Sequence, residues 1–492
     1  MTIEALVTRG EERLVGDPAR VVAHLFVAGQ ELAGGNESRA SGVVARILAL
    51  SESDVKVRLD ELIERFGGRH RDLAATFSHH ADRIGNRLDP VHELSEERWL
   101  LLGATFTHEY SIEAASVCNP SIVEDPDQSA AAPGSVRFVM SVRGIGEGHR
   151  SSIGFRTGSI DAGGTVVLDE AGPFPTLATV EPAVFDRAQF AGRLRSLGAH
   201  TESATYVLDH LDDTFSGDEL ESQLGVLAGQ HDTRRDAHTT AALLRSIAAC
   251  SYTARFPSDT MLSERVLAPA MAAESRGMED ARFLRFVDED GKVTYYATYT
   301  AFDGVSISQQ LLATTDFLQF AASPMIGPAA TNKGLALFPR PIDGRFVALS
   351  RHDRETNAVA YSDSLLHWDH AVTIQTPDRP WEVIQLGNCG PPIETPEGWL
   401  VLTHGVGPMR TYSIGALLLD REDPTKVLRT RREPLLSPGS DQDGYVPNVV
   451  YSCGALLHGD NLILPYGVAD TSVAIATFSW LELLDSMVAP AR

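Results

Sequence analysis

A strand–turn–strand pattern recurs through the second half of the 492-residue chain, with starts near 280, 336, 390 and 452. Each copy runs an apolar strand, a Gly-bearing turn, an aromatic-rich strand, a polar loop and a strand ending near an Asp. EDARFLRFVDEDGKVTYYATYTAFDG opens the series, and SCGALLHGDNLILPYGVAD closes it. The stretch from 119, with SVRFVMSVRGIGEGHRSSIGFRTGSID, reads as a further copy. A repeat of roughly 55 residues signals units that bury their faces only by stacking on neighbours. Five units of about four strands each predict a mainly β fold, a five-bladed β-propeller. In that architecture residues at equivalent points of different units converge on a central funnel.

The remaining segments read as helices. Residues 1–117 are expected to be α-helical: VKVRLDELIERFGG has helical apolar spacing ended by Gly67-Gly68, HRDLAATFSHHADRIGNRL follows, and Ser95 caps a third helix running to about 117. Residues 118–478 form the expected propeller, interrupted at about 183–252 by an amphipathic helical insertion between units one and two, and 479–492 reads as a C-terminal helix. In THEYSIEAAS, His108, Glu109 and Tyr110 run straight into Asn119, so they are candidates for the funnel rim, with helix packing as the plainer alternative.

The formal net charge of −24 disfavours nucleic acid and anionic membranes as partners, though a small phosphate needs only a local basic pocket. Cys118, Cys250, Cys389 and Cys453 lie at no metal-ligand or disulfide-framework spacing and read as reduced, mostly buried thiols. No apolar signal core or membrane span is visible, so a cytoplasmic protein is expected. No metal is expected, since no His/Asp/Glu cluster has ligand spacing, and no nucleophile elbow appears.

The polar residues at matching positions carry the chemistry. Unit one offers Asn119, Ser121, Arg143, His149, Ser151 and Arg156; unit two offers Glu279, Asp280, Arg282 and Tyr299. Unit three adds Asn332, Lys333 and Arg351, and unit four adds Gln385, Asn388, His404, Arg410 and Tyr412. Unit five supplies Tyr445, Asn448, Tyr466 and Asp470. Singly, each has a bland explanation as a turn, a bridging cation or a satisfied interior group. Together, a hub rich in Asn, Asp, Arg and Tyr suits sugar hydroxyls. The adjacent Glu279 and Asp280, flanked by Arg282, make a plausible acid site.

Over roughly residues 118–478 the chain resembles glycoside hydrolase family 130, the inverting β-mannoside phosphorylases and β-mannosidases. The motifs are Asn119-Pro120, Gly277-x-Glu279-Asp280-x-Arg282, Asn332-Lys333 before LALFP, Arg351, Gly390-Pro391-Pro392-Ile393, His404-Gly405, and Tyr466-Gly467 with Asp470. The helical additions resemble the long members of that family, among which phosphorolysis of 1,2-β-oligomannan is the activity associated with this architecture. The resemblance implies Asp280 as proton donor, acting through the mannosyl 3-hydroxyl while phosphate attacks C1 from the opposite face. An inverting hydrolase needs a second carboxylate to activate water, whereas phosphate is already an anionic nucleophile and needs cations and donors. Asn332, Lys333, Arg351, Gln385, His404, Arg410 and Tyr412 are expected to face phosphate. The expected sugar-facing set is Asn119, Ser121, Arg143, His149, Ser151, Glu279, Arg282, Tyr299, Asn388, Tyr445, Asn448 and Asp470. Thr331 and Gln385 stand where many family phosphorylases carry Arg and Lys, and Arg410, His149 or Arg150 are candidate replacements for that charge.

The leading expectation is therefore inverting phosphorolysis of β-mannosides, on β-1,2-linked manno-oligosaccharides, giving α-mannose 1-phosphate, with inorganic phosphate as co-substrate and no cofactor. The alternatives are an inverting β-mannosidase, with Glu382 or Glu394 as its base, and a non-catalytic glycan-binding propeller. The helical additions offer an oligomer contact.

Overall fold

The computed structural model describes residues 7–27, 39–85, 94–196, 199–229, 236–439 and 443–490. Its framework is mainly β, as the repeat predicts, and its strands can be grouped into five antiparallel units, the first two joined into one sheet by a parallel bridge between Ser151 and Gly277. The first is Ser116–Glu124, Val136–Ile145, Ser151–Ile160 and Val166–Leu168. The second is Gly277–Val287, Val293–Phe302, Ile307–Thr314 and Gln319–Pro324. The third runs from Ala336–Leu337 through Phe346–Ser350 and Asn357–Ser362 to Ala371–Gln375. The fourth is built on Gln385–Asn388, Gly398–Gly407, Thr411–Leu419 and Val427–Thr430. The fifth joins Val450–Tyr451, Asn461–Val468 and Ser472–Ser479 to the N-terminal strand Val7–Val15.

Alternation along these strands explains how the units hold together. Successive side chains point to opposite faces, so an internal sheet buries both. Trp399 and Val401 pack on Val347 and Leu349 of unit three, while Leu400 and Leu402 pack on Leu462 and Leu464 of unit five. Val123 and Phe155 of unit one meet Met278 and Phe283 of unit two, and Leu284 and Phe286 meet Leu337 and Trp368 of unit three. Val117 and Ile122 meet Ile463 and Ile475, so the fifth unit packs on the first and the circuit of contacts is complete. Burying a large apolar side chain contributes about 1.5–3 kcal/mol, and each unit does so on two faces.

The first 117 residues differ from the all-helical expectation. Helices Glu52–Phe66 and Leu73–Gly85 form where the apolar spacing places them, although Asn86, Arg87 and Leu88 lie outside the described residues. The third helix is capped by Ser95, whose side chain accepts from the Arg98 N–H, but it stops at Thr105. Thr107–Ser111 is instead a strand paired with Val21–Leu25. Val7–Val15 is also a strand, because the last strand of unit five offers it an edge more than 450 residues away in sequence. Non-local pairing of this kind overrides local propensity.

Within 183–252 the helices Arg187–Ser196, Glu202–Asp209, Gly217–Ala228 and Ala237–Ala249 enclose their own core around Leu194, Leu224 and Leu244. Thr179–Pro182 and Tyr252–Arg255 lead into and out of this segment as extra strands on the edge of unit two. A short helix, Trp480–Asp485, follows the last strand, and Ala491 and Arg492 lie outside the described residues. Among the described residues, no helix is long and apolar enough to cross a membrane.

Candidate active site

The first strands of units one and two each break register at the site. Ser116–Glu124 shifts between Cys118 and Ser121, and Gly277–Val287 shifts between Glu279 and Arg282. At these bulges Asn119 (φ 49°) and Asp280 (φ 56°) adopt the left-handed conformation that non-glycine residues seldom hold. The two bulges face each other, and the Asn119 amide donates to Asp280 Oδ1 at 2.7 Å. Asn119, His149, Asp280, Arg410, Asn448 and Asp470 make six of the eleven left-handed non-glycine residues described. Such strain concentrates at functional sites.

Every unit contributes to the cluster around Asp280. Arg282 is fully buried: Nη1 donates to the Asp280 carbonyl at 2.8 Å, Nη2 to the Tyr451 hydroxyl at 2.9 Å and Nε to Asn388 Oδ1 at 3.2 Å. Its guanidinium also lies 3.9 Å from the Asp280 carboxylate. Asn388 in turn donates to the Gly334 carbonyl, tying units two, three and four together. Glu279 receives Arg143 of unit one at 2.6 Å and Lys333 of unit three at 2.5 Å. Burial favours the neutral form of Asp280, but Arg282, Lys333, Arg143 and Arg351 outweigh it and hold the carboxyl below the usual range.

His404 has both ring nitrogens engaged. Nδ1 lies 3.1 Å from the Asn388 carbonyl, which only accepts, so Nδ1 carries the proton. Nε2 then accepts from Arg351 Nη1 at 3.3 Å. Burial, with Arg351 and Arg282 nearby, pushes its pKa down to about 3, so this imidazole is neutral and aims a cation instead of being one. A Cβ at Gly387 would come within 2.3 Å of the ring, so only glycine leaves room for it. Tyr412 stacks on His404 with centroids 5.9 Å apart, and Arg410 lies over the Tyr412 ring. Asp470 is pushed up to about 6 by burial, with Arg143 pulling the other way and Asp280 adding to the rise.

At the edge of the cluster, His149 and Tyr445 stack at 5.9 Å and share a 3.1 Å hydrogen bond. The exposed Asn448 accepts from the Tyr412 N–H through its carbonyl. Tyr110 also reaches this edge of the cluster, where its hydroxyl donates to the Glu147 carbonyl near His149. Glu109 is instead held by Arg69 and His70, and His108 packs against His24 and Phe26.

Several expected residues sit elsewhere. Tyr299 is fully buried, with its hydroxyl on Glu274, because odd-numbered positions of its strand face the core shared by units one and two. Ser121 is buried and accepts from the Phe283 N–H. Ser151 lies beneath the start of the second unit, where a Cβ on Gly277 would meet its Oγ at 2.2 Å. Arg156 makes a two-pronged contact with buried Glu113 at 2.7 and 2.9 Å, and Tyr466 belongs to the core between units four and five. Asn332 and Gln385 are half-buried, and the Asn332 side-chain oxygen accepts from the next N–H, that of Lys333. Glu394 is taken by Arg340 and Arg421. Glu382, pushed up to about 7 by burial, packs behind Gly405, on the opposite strand face from His404. Cys118, Cys389 and Cys453 are buried thiols; Cys250 is half-buried.

Tyr451 was not foreseen. It sits in the first strand of unit five, accepts from Arg282 and packs against His404 at 4.9 Å. Its place beside Ser452-Cys453, where a unit begins, was the available signal.

Three buried polar atoms of the cluster have no partner among the described residues: Asn119 Oδ1, Arg143 Nε and Arg351 Nε. Unused hydrogen-bonding capacity at a strained, cation-rich centre is what a polar ligand requires.

The family model described as beta-1,4-mannooligosaccharide phosphorylase matches residues 256–489. The chain is 36% identical to a 1,2-beta-oligomannan phosphorylase of Thermoanaerobacter sp. over 229 residues, 46% of this chain and 74% of that protein. The chain belongs to glycoside hydrolase family 130. A beta-1,2-mannobiose phosphorylase of Listeria innocua is 32% identical over 241 residues, 47% of this chain and 66% of that protein. A beta-1,2-mannobiose phosphorylase of Thermoanaerobacter sp. is 36% identical over 215 residues, 43% of this chain and 70% of that protein. The family-model match begins just before unit two, so Asn119 and Arg143 lie outside it while Asp280 and the cations of units two to four lie within it.

Proposed function

We propose that this glycoside phosphorylase of family 130 cleaves β-mannosides with inorganic phosphate, inverting the anomeric centre and releasing α-mannose 1-phosphate. β-1,2-linked manno-oligosaccharides are the proposed substrates, the linkage named for relatives in two genera. The closed circuit of five packed units supports a five-bladed propeller with the Asp280 cluster at its hub. We take 118–478 as the catalytic domain around its helical insertion.

The observation that carries the reading is the balance of charge at Asp280. Asp280 stands among four cations, and neither Glu382 nor Glu394, the two candidate bases, belongs to the cluster. Glu394 is neutralised by two arginines, and Glu382 faces away. Of the other carboxylates in the cluster, Glu279 is paired with Arg143 and Lys333 and Asp470 stands on the sugar side, while Lys333 and Arg351 supply the cations an anionic nucleophile requires.

Without phosphate, Asp280 is held ionised by the cations around it. A phosphate dianion entering beside Lys333 and Arg351 offsets them, so the carboxyl takes up a proton from solvent and delivers it to the glycosidic oxygen through the sugar, and the phosphate's own proton returns to solvent from the product monoester. Phosphate oxygen forms the new bond to C1, the glycosidic bond breaks, and the proton from Asp280 ends on the leaving hydroxyl. Arg351, aimed by neutral His404, holds the nucleophile. Arg143, Glu279, Asn119 and Asp470 line the sugar side, and Arg410 supplies part of the charge that Thr331 and Gln385 do not.

Incubation with β-1,2-mannobiose, with and without phosphate, tests this. Mannose 1-phosphate formed only with phosphate is expected. Equal release of free mannose without phosphate overturns it.

A further inference from the structure

A second concave site lies in the N-terminal region. A cleft of about 1090 Å³ opens between the strand Val21–Leu25, the helix Leu73–Gly85 and the edge residues Leu177–Val180. Thr76, His79, His80 and Arg83 project from one face of that helix, at the three- and four-residue spacing that puts side chains together. Arg39, the first residue of a further helix, Arg39–Leu48, and His24 of the strand also line the cleft, and Phe26, 54% exposed, stands at its edge. No carboxylate occurs among the described lining residues. In a chain of net charge −24 that is a marked local reversal.

The charges in the cleft act on one another. Burial, with His79, Arg83 and His24 adding like charge, holds His80 down to about 4. Neither Arg39 nor Arg83 has an ion-pair partner among the described residues. Two guanidinium groups without an ion-pair partner among the described residues, with imidazole donors in a pocket of ligand size, match a small oxyanion. The overall negative field argues against an extended polyanion, which would have to contact the acidic surface around the cleft.

We propose that this cleft is a binding site for a phosphate dianion, free or carried as the monoester of a sugar, separate from the hub. Arg39 and Arg83 grip the phosphate and the histidine face donates to it. The cleft backs onto the strand that holds the rim, since His24 touches the Tyr110 ring at 5.5 Å and Tyr110 anchors the loop bearing His149.

The test is calorimetric titration of the full-length protein with inorganic phosphate, mannose 6-phosphate and neutral mannose. Arg351→Ala provides the background, so that phosphate binding at the hub is weakened. Arg39→Ala with Arg83→Ala in that background should weaken anion binding about tenfold or more and leave mannose unaffected. Arg39→Lys with Arg83→Lys should retain it. Both arginines are exposed, so the melting temperature should not move. The tighter of the two anions identifies the source of the phosphate. Anion binding unchanged by the two alanine substitutions, or absent from the Arg351→Ala protein, overturns the proposal.

Discussion

Glu274 and Asp280 lie six residues apart on either side of one strand start, and both are buried. Their surroundings are opposite. Glu274 accepts from the hydroxyls of Tyr252 and Tyr299 and from the Ala270 N–H, all neutral donors, and burial raises its pKa. Asp280 is ringed by Arg282, Lys333, Arg143 and Arg351 and sits below the usual range despite its burial. Depth alone therefore does not tell the two carboxyls apart; the neighbours do. Glu274 closes a core network. Asp280 stands beside polar atoms with unused capacity, where a ligand can change its charge environment.

That contrast can be broken in several ways. The largest effect is expected for Asp280→Asn, which should lower phosphorolysis by about 10²- to 10⁴-fold while oligosaccharide binding persists, measured by turnover and calorimetry together. Glu274→Gln should leave kcat unchanged, and a comparable loss there would erase the distinction.

Asp470 sharpens the point through pH. Its folded pKa, raised to about 6, means the native state binds more protons than the unfolded chain between the two pKa values. Its contribution to stability is therefore full below the unfolded pKa and is lost as pH rises through the folded value. Asp470→Asn should remove a decline of about 3 kcal/mol, read from denaturant midpoints at several pH values.

Arg351→Ala should raise the KM for phosphate about 10- to 100-fold, with a smaller change in the KM for sugar, in line with a lost charge-assisted contact. His404, already neutral, should add no inflection near neutral pH to that constant. The smallest effect belongs to the Glu274 side: Tyr299→Phe should cost about 1 kcal/mol of stability and leave kinetics unaltered.

The repeat made the β units visible in sequence, because a two-residue alternation with Gly turns is local information. The first strands of units one, two and three begin within three residues of the expected starts. The closing strand Val7–Val15 was hidden, since its partner is at the far end of the chain and VTRGEERLV carries no strand pattern of its own. At the site, Glu279, Asp280 and Arg282 could be recognised as a motif, and Arg351 and His404 by position. Tyr299 could not be separated from them, because its own strand alternates regularly and the sequence does not say which of its two faces meets the core shared by units one and two. Tyr451 escaped notice because a lone tyrosine at a strand end resembles any other.

The claim that Asp280 is the acid is tested most directly by the dependence of Asp280→Asn on leaving group. With phosphate present, the variant should lose turnover of β-1,2-mannobiose, whose leaving hydroxyl needs a proton, yet keep most of it on 2,4-dinitrophenyl β-mannoside, whose phenolate does not. An equal loss on both substrates would contradict the assignment.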